Sequence, residues 1–249
     1  MLKYWIARIA FYTSLLIIWY VIYSLNVLPD YILPSPLQVG NEYISAADRL
    51  LVSIATSMQR LVAGFILSLL LGFGLGYAMA KYRLLHTSIS SFVTALASLP
   101  SIVWVPIAMI WFGYSEMMIL FVIMVGTLFA FALSTYTSIK NISPLYIKAA
   151  RNMGANGIKM LAHVTIPAAT PNLIIGIRNA WSLAWRGLMN AEVLSGYLGL
   201  GFMLESAREV FNMSQVIAVV LVIMVIGMLF DALFFSRIER YVEYRWGLR

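Results

Sequence analysis

The chain has 249 residues, 62% hydrophobic and 11% charged, with a formal net charge of +7 and no cysteine. Against a soluble norm of about 45–50% apolar and about 25% charged, this balance excludes a water-soluble globular domain. The lack of thiols excludes disulfides, thiolate metal sites and cysteine nucleophiles together, and the positive charge sits between apolar runs, as topology signals do, so it does not point to nucleic acid.

Inside a bilayer the backbone must satisfy its own hydrogen bonds, which leaves helices or a closed barrel. The apolar runs are far longer than the roughly ten-residue alternating strands of a barrel, so the expected fold is all-α and polytopic. A spanning helix needs about 20 mostly apolar residues, and six segments qualify: 9–25, 61–80, 92–112, 117–133, 173–194 and 216–235. The first has a basic start like a signal peptide, but Tyr23-Ser24-Leu25 lacks the small-x-small cleavage pattern, so a retained helix is expected. Residues 26–49 carry Pro29, Pro34 and Pro36, which predict a turn followed by a short surface helix. Gly72 and Gly76 in the second span predict close helix packing. Pro100 and Pro106 are expected to interrupt the third span.

With six spans, Lys3 and Arg8, Lys81 and Arg83, Lys140, Lys148, Arg151 and Lys159, and Arg237, Arg240, Arg245 and Arg249 all fall on one side. These are 12 of the 17 basic residues, and only Arg49 and Arg208 fall in opposite loops. The positive-inside rule makes the populated side cytoplasmic, with both termini there. The expected organisation is a first helix with a cytoplasmic start over 1–28, an extracytoplasmic segment over 29–60, a core over 61–235 and a cytoplasmic tail over 236–249.

The polar segment 138–171, between spans four and five, is too long for a helix hairpin. Ser143 can cap a helix that begins at Pro144, and Gly154 can end it. The expectation is two short helices, 145–153 and 155–165, about a glycine corner with Ala149 and Ala150 as a smooth patch. Such a corner suits insertion into another protein's groove, but an ordinary solvated connector has the same spacing.

The run from Tyr146 through Lys148-Ala149-Ala150 to Gly154-Ala155, followed by Ile166-Pro167-Ala168-Ala169 and Pro171-Asn172-Leu173, resembles the coupling loop of ABC-importer permeases. That family's pattern is Glu-Ala-Ala, three residues, Gly and a later Ile-x-x-Leu-Pro, here the looser Val164-Thr165-Ile166-Pro167. Leu33-Pro34-Ser35-Pro36, Ser57-x-x-Arg60-x-x-x-Gly64-Phe65, Trp111-Phe112-Gly113 after Pro106, Ala191-Glu192-Val193-Leu194 before Gly199-Leu200-Gly201, and Asp231 with Glu239-Arg240 resemble the nitrate, sulfonate and taurine branch. Lys148 departs from the usual glutamate and reverses the charge offered to a partner. Ala97 and Ser98 stand where the branch has an arginine and a proline. The resemblance implies the type I importer core, two paired copies in the cell membrane and no ATP or other cofactor on this chain. Cytoplasmic ATPase subunits would dock on the loop through Lys148, Ala149, Ala150, Gly154, Ile166 and Pro167. A solute-binding protein would sit over 26–49 and 196–213.

A charge at the bilayer centre costs at least about 2.5–3.5 kcal/mol, so ionisable residues in spans call for a role. Arg60 opens span two, and Arg178, Arg186 and Glu192 lie along span five with Asn179, Ser182 and Asn190. That makes span five the strongest candidate for lining a pathway. Arg186 could attract an anion bidentately, or pair internally with Glu192, or snorkel. Arg60 and Glu192 could form a gate or a structural clamp, and Arg178 reads as a snorkelling or loop-facing residue. No catalytic constellation is visible: there is no phosphate-cradling loop, His86 and His163 stand alone, and no carboxylate pair sits at helical spacing within a span. The expected function is passage of a small solute, an anion such as a sulfonate, taurine, nitrate or related oxoanion, without enzyme activity of its own. Another solute class, or a non-transporting anchor, is the alternative.

Overall fold

The computed structural model describes residues 2–25 and 28–246, except the side chains of Leu2, Lys3, Tyr4, Trp5 and Arg8. Of the residues singled out above, Asn26, Arg249 and the side chains of Lys3 and Arg8 lie outside that set. The helices are α1 (Leu2–Ser24), α2 (Pro36–Ser45), α3 (Ala47–Lys81), α4 (Arg83–Ser98), α5 (Trp104–Phe112), α6 (Glu116–Lys140), α7 (Pro144–Asn152), α8 (Gly157–Met160), α9 (Ile166–Ser195), α10 (Leu200–Glu209), α11 (Met213–Phe230) and α12 (Ser236–Arg245). A 3₁₀ turn (Ser101–Val103) precedes α5, and π segments Leu161–Thr165 and Asp231–Phe235 join α8 to α9 and α11 to α12.

The six expected spans become four unbroken apolar helices, one bent pair and the shorter apolar stretch Ile9–Ser24. The bent pair is α4 with the segment Ser101–Phe112, which turn by 95° at the break. Pro100 alone explains it. Leu99, preceding a proline, is held extended at φ −72°, ψ 128°. Pro106 does not interrupt the helix as expected, because it is third in α5, where a missing N–H removes no α-helical bond. The helix that carries the second span starts at Ala47, well before residue 61.

The described chain divides into two compact units. In the first (Met1–Thr56 and Leu198–Ile226), Ser35 and Gln38 form a capping box at the start of α2 with Pro36 in its first turn. Val39 is the buried residue of α2, Tyr43 donates its hydroxyl to the Ala218 carbonyl at 3.1 Å, and Asn212 donates to Glu42 at 3.2 Å. The Trp19 indole donates to the Pro34 carbonyl at 3.0 Å.

In the second unit (Ser57–Tyr197 and Gly227–Arg249) the core is built on α6 and α9. Val122 and Ile123 of α6 pack with Trp181 and Leu188 of α9, and Leu61 of α3 joins them. Small residues let the backbones approach, as membrane helices require in place of a hydrophobic drive. A Cβ on Gly76 would stand 2.3 Å from the Ala132 carbonyl oxygen and one on Gly72 2.9 Å from that of Leu128, so the expected Gly72–Gly76 packing face is realised against α6. Gly76→Leu should therefore cost at least about 3 kcal/mol, since the obstacle is backbone. Gly74→Ala, whose Cβ meets nothing within 4 Å, should be neutral or stabilising by about 0.5–1 kcal/mol; thermal unfolding of the two variants in detergent measures the contrast.

Candidate functional site

The segment between α6 and α9 begins as the sequence predicts. Ser143 accepts from the Leu145 N–H at 3.4 Å, and Pro144 fills the first turn of α7. The helix ends in a Schellman turn: the Gly154 N–H reaches the Arg151 carbonyl at 2.9 Å and the Ala155 N–H reaches that of Ala150 at 3.0 Å. Gly154 sits at φ +81°, a conformation a side chain resists. The second expected short helix is not separate. From Gly157 the chain runs as one 39-residue helix to Ser195, because the π segment absorbs Pro167 and the ladder closes beyond it.

Pro171 lies inside α9 and has no N–H to give to the carbonyl of Pro167 four residues earlier. An unpaired buried carbonyl costs about 1–3 kcal/mol. Trp246, at the end of α12, supplies the replacement, its indole N–H donating to the Pro167 oxygen at 3.1 Å.

The faces of α7 differ from expectation at one residue. Ala149 is exposed with Lys148, while Ala150 is turned inward at 3% exposure and packs instead of offering a surface. Large apolar side chains are left uncovered around the corner: Leu145, Tyr146, Met153 and Ile158 are each more than 60% exposed. Exposed apolar residues outside a membrane-facing surface are the material from which interaction sites are made. Ile166 is also exposed and Pro167 half-buried. Behind α7 a groove of about 600 Å³ is lined by Tyr146, Ala149, Met153, His163, Pro167 and Trp246, among others.

The charged residues assemble around α9. Glu192 is fully buried; Ser57 donates to its carboxylate at 2.8 Å and the Arg60 guanidinium at 2.9 Å. Arg60 also forks Glu116, with its Nε 2.6 Å from one oxygen and its Nη2 paired with the other. The Arg60–Glu192 contact was legible in the sequence; Glu116 was missed. It follows Ser115, which caps α6, and so reads as an ordinary first-turn acid. The cluster holds two carboxylates against one guanidinium and ties α3, α6 and α9 together.

Arg178 is neither snorkelling nor loop-facing. Its Nε and Nη2 fork Asp231 at 2.7 and 2.8 Å, and its Nη1 reaches Glu239 at 2.7 Å, joining α9 to the last helix. Asn190 donates to the Ser101 hydroxyl at 2.8 Å, beside the Pro100 break, and Ser101 also lies 3.0 Å from where a Gly126 Cβ would stand. Arg186 does not pair with Glu192, whose oxygens Arg60 and Ser57 already occupy. It is exposed, without an ion pair among the described residues, and shares with Trp181, Ser182, Trp185 and Asp231 a groove of about 600 Å³. Such a set can clamp helices and attract an anion. Among the described residues no group of three metal-binding side chains comes together.

The family described as "binding-protein-dependent transport system inner membrane component" matches residues 64–240, more than half of the sequence. The chain belongs to that family. It is the permease subunit of an ABC importer, and a permease of this kind works with an ATPase and a binding protein. A putative ABC transporter permease protein of Methanocaldococcus jannaschii is 33% identical over 188 residues, 75% of this chain and 68% of the relative. A putative aliphatic sulfonates transport permease protein of Escherichia coli is 32% identical over 238 residues, 92% of this chain and 89% of the relative, in agreement with the branch read from the motifs. An inward-facing methionine ABC transporter shares the fold, with a TM-score of 0.70 over 80% of this chain and 98% of that one at 18% identity.

The second half of the permease's loop and its charged helix are parts of one element, Gly157–Ser195. Asp231 and Glu239 could have been found as partners of Arg178 only by fixing the rotation of the last helix, which the π segment resets. Nothing in the sequence marks Trp246 as a partner of Pro167 except the proline four residues further on.

Proposed function

We propose that this permease passes a small anion, a sulfonate or related oxoanion, from a binding protein across the cell membrane, driven by ATP hydrolysis on separate subunits. Arg186 carries the anion reading: it is the exposed guanidinium in the groove on α9, and guanidinium matches oxoanions bidentately. The relative named for aliphatic sulfonates adds support. In this reading α7 docks into the ATPase through Lys148, Ala149, Gly154 and the uncovered apolar residues beside them, with Ile166 and Pro167 carrying the motion into α9. Two copies pair, both termini are cytoplasmic, and the binding protein sits over the segments 26–49 and 196–213. The segments 1–28 and 29–60 precede the core 61–235, the loop 138–171 projects from it, and 236–249 is the tail. Arg60, Asn190 and Glu192 hold the pathway helix in place, as a clamp.

The test is reconstitution with the candidate ATPase and binding protein, followed by uptake of a radiolabelled alkanesulfonate. Arg186→Ala should raise the half-saturating concentration at least about ten-fold, the loss of one charge-assisted contact, while ATPase capture stays unchanged. Uptake indistinguishable from the unaltered protein removes Arg186 from the substrate path. Failure of any ATPase to associate with the unaltered permease overturns the importer arrangement itself.

A further inference from the structure

The C-terminal helix does more than end the chain. It is tied to α9 twice, by Glu239 on Arg178 and by the Trp246 indole on the Pro167 carbonyl. The second tie exists because Pro171 leaves that carbonyl without its helical donor. The same indole lines a groove that Tyr146, Ala149 and Met153 of α7 also line. A single side chain therefore touches the loop end of α9 and borders α7, the proposed ATPase-docking helix.

The geometry points to Trp246 as a positioning residue: a latch that fixes the loop end of α9 to α12 and so sets the angle at which α7 meets the ATPase. This rests on the docking role of α7. The donor is neutral and local, so the latch can open and reform as the loop moves without moving a charge through the membrane. Thr170 in the same turn already bonds its own helix, to the Ile166 carbonyl at 2.8 Å.

Two properties of the chain make the test direct. It has no cysteine, so Ser182→Cys, in the exposed groove on α9, places one thiol for a charged maleimide. It also offers a way to supply the missing donor elsewhere: Pro171→Ala restores an N–H for the Pro167 carbonyl. The permease–ATPase complex would be labelled in micelles with and without ATP and vanadate, and the ratio of the two rates taken as the coupling between ATPase closure and α9. Trp246→Phe keeps the ring and removes the donor. It should leave ATPase capture intact and reduce the ratio's departure from unity about five-fold, the factor that one hydrogen bond of ordinary net strength contributes.

The double variant Trp246→Phe with Pro171→Ala separates the roles. If the indole only satisfied a carbonyl, the new N–H would restore both thermal stability and the nucleotide-dependent ratio, and the latch is overturned. The latch predicts that stability recovers while the ratio stays low. A Trp246→Phe complex with an unaltered ratio also overturns it. Loss of ATPase association by the unaltered chain would overturn the docking role first, and the latch with it.

Discussion

Arg60→Ala is expected to destabilise the permease by about 3–5 kcal/mol, because it leaves a carboxylate buried without its charged partner. Glu192 has no exposed surface and depends on Arg60 and Ser57, whereas Glu116 is 54% exposed and can turn to water. The asymmetry predicts an order: Arg60→Ala is the most damaging change and Glu116→Gln is mild. Arg60→Met combined with Glu192→Leu should recover most of the loss, since an apolar pair of similar volume removes both desolvation costs together. Thermal unfolding in detergent across these variants gives the answer. A loss below about 1 kcal/mol for Arg60→Ala would mean that Glu192 is held by something other than the guanidinium.

Ala149→Glu and Ala150→Glu should fail in different ways although they are neighbours. Ala149 is exposed on the face of α7 proposed to dock, so a carboxylate there would meet the partner, and capture of the ATPase should fall by at least about 100-fold while the permease melts normally. Ala150 is 3% exposed and packs inward, so its glutamate buries an unpaired charge and should lower the melting temperature of the permease alone. Capture by immobilised ATPase, read beside melting, distinguishes the two. If Ala149→Glu leaves capture unchanged, the outward side of α7 is not the docking surface.

Much of this architecture was legible in the sequence because apolar length and proline position are local signals. The helices themselves, the Ser143 cap and the Gly154 corner follow from chemistry within a few residues. The failures are non-local or concern continuity. Pro106 looks like Pro100 in a sequence, but the first lies within a helical first turn and the second outside any helix. Pro167 looks like a stop, but a π segment carries the helix through it. Which face of α7 turns inward depends on what lies beneath it, and spacing alone gave Ala149 and Ala150 the same role. Arg60 and Glu192 could be matched because each closes the same end of its span. Glu116 with Arg60, and Asp231 and Glu239 with Arg178, required knowing how helices more than 50 residues apart are rotated toward each other.

The unbroken helix from Gly157 to Ser195 has a mechanical consequence. At 1.5 Å per residue its 39 residues make a shaft of about 58 Å, nearly twice the thickness of a bilayer's hydrocarbon layer. Arg178 fastens it close to the middle, with arms of about 32 Å toward the loop and about 26 Å toward Ser195. A tilt about that fulcrum swings the far end about 0.8 Å in the opposite direction for each 1 Å at the loop. The Arg60–Glu192 clamp, about 21 Å along the far arm, then either yields or drags α3 and α6 with it. In the proposed arrangement, force applied at the loop would reach Arg186 and Asn190 along the axis of this one helix.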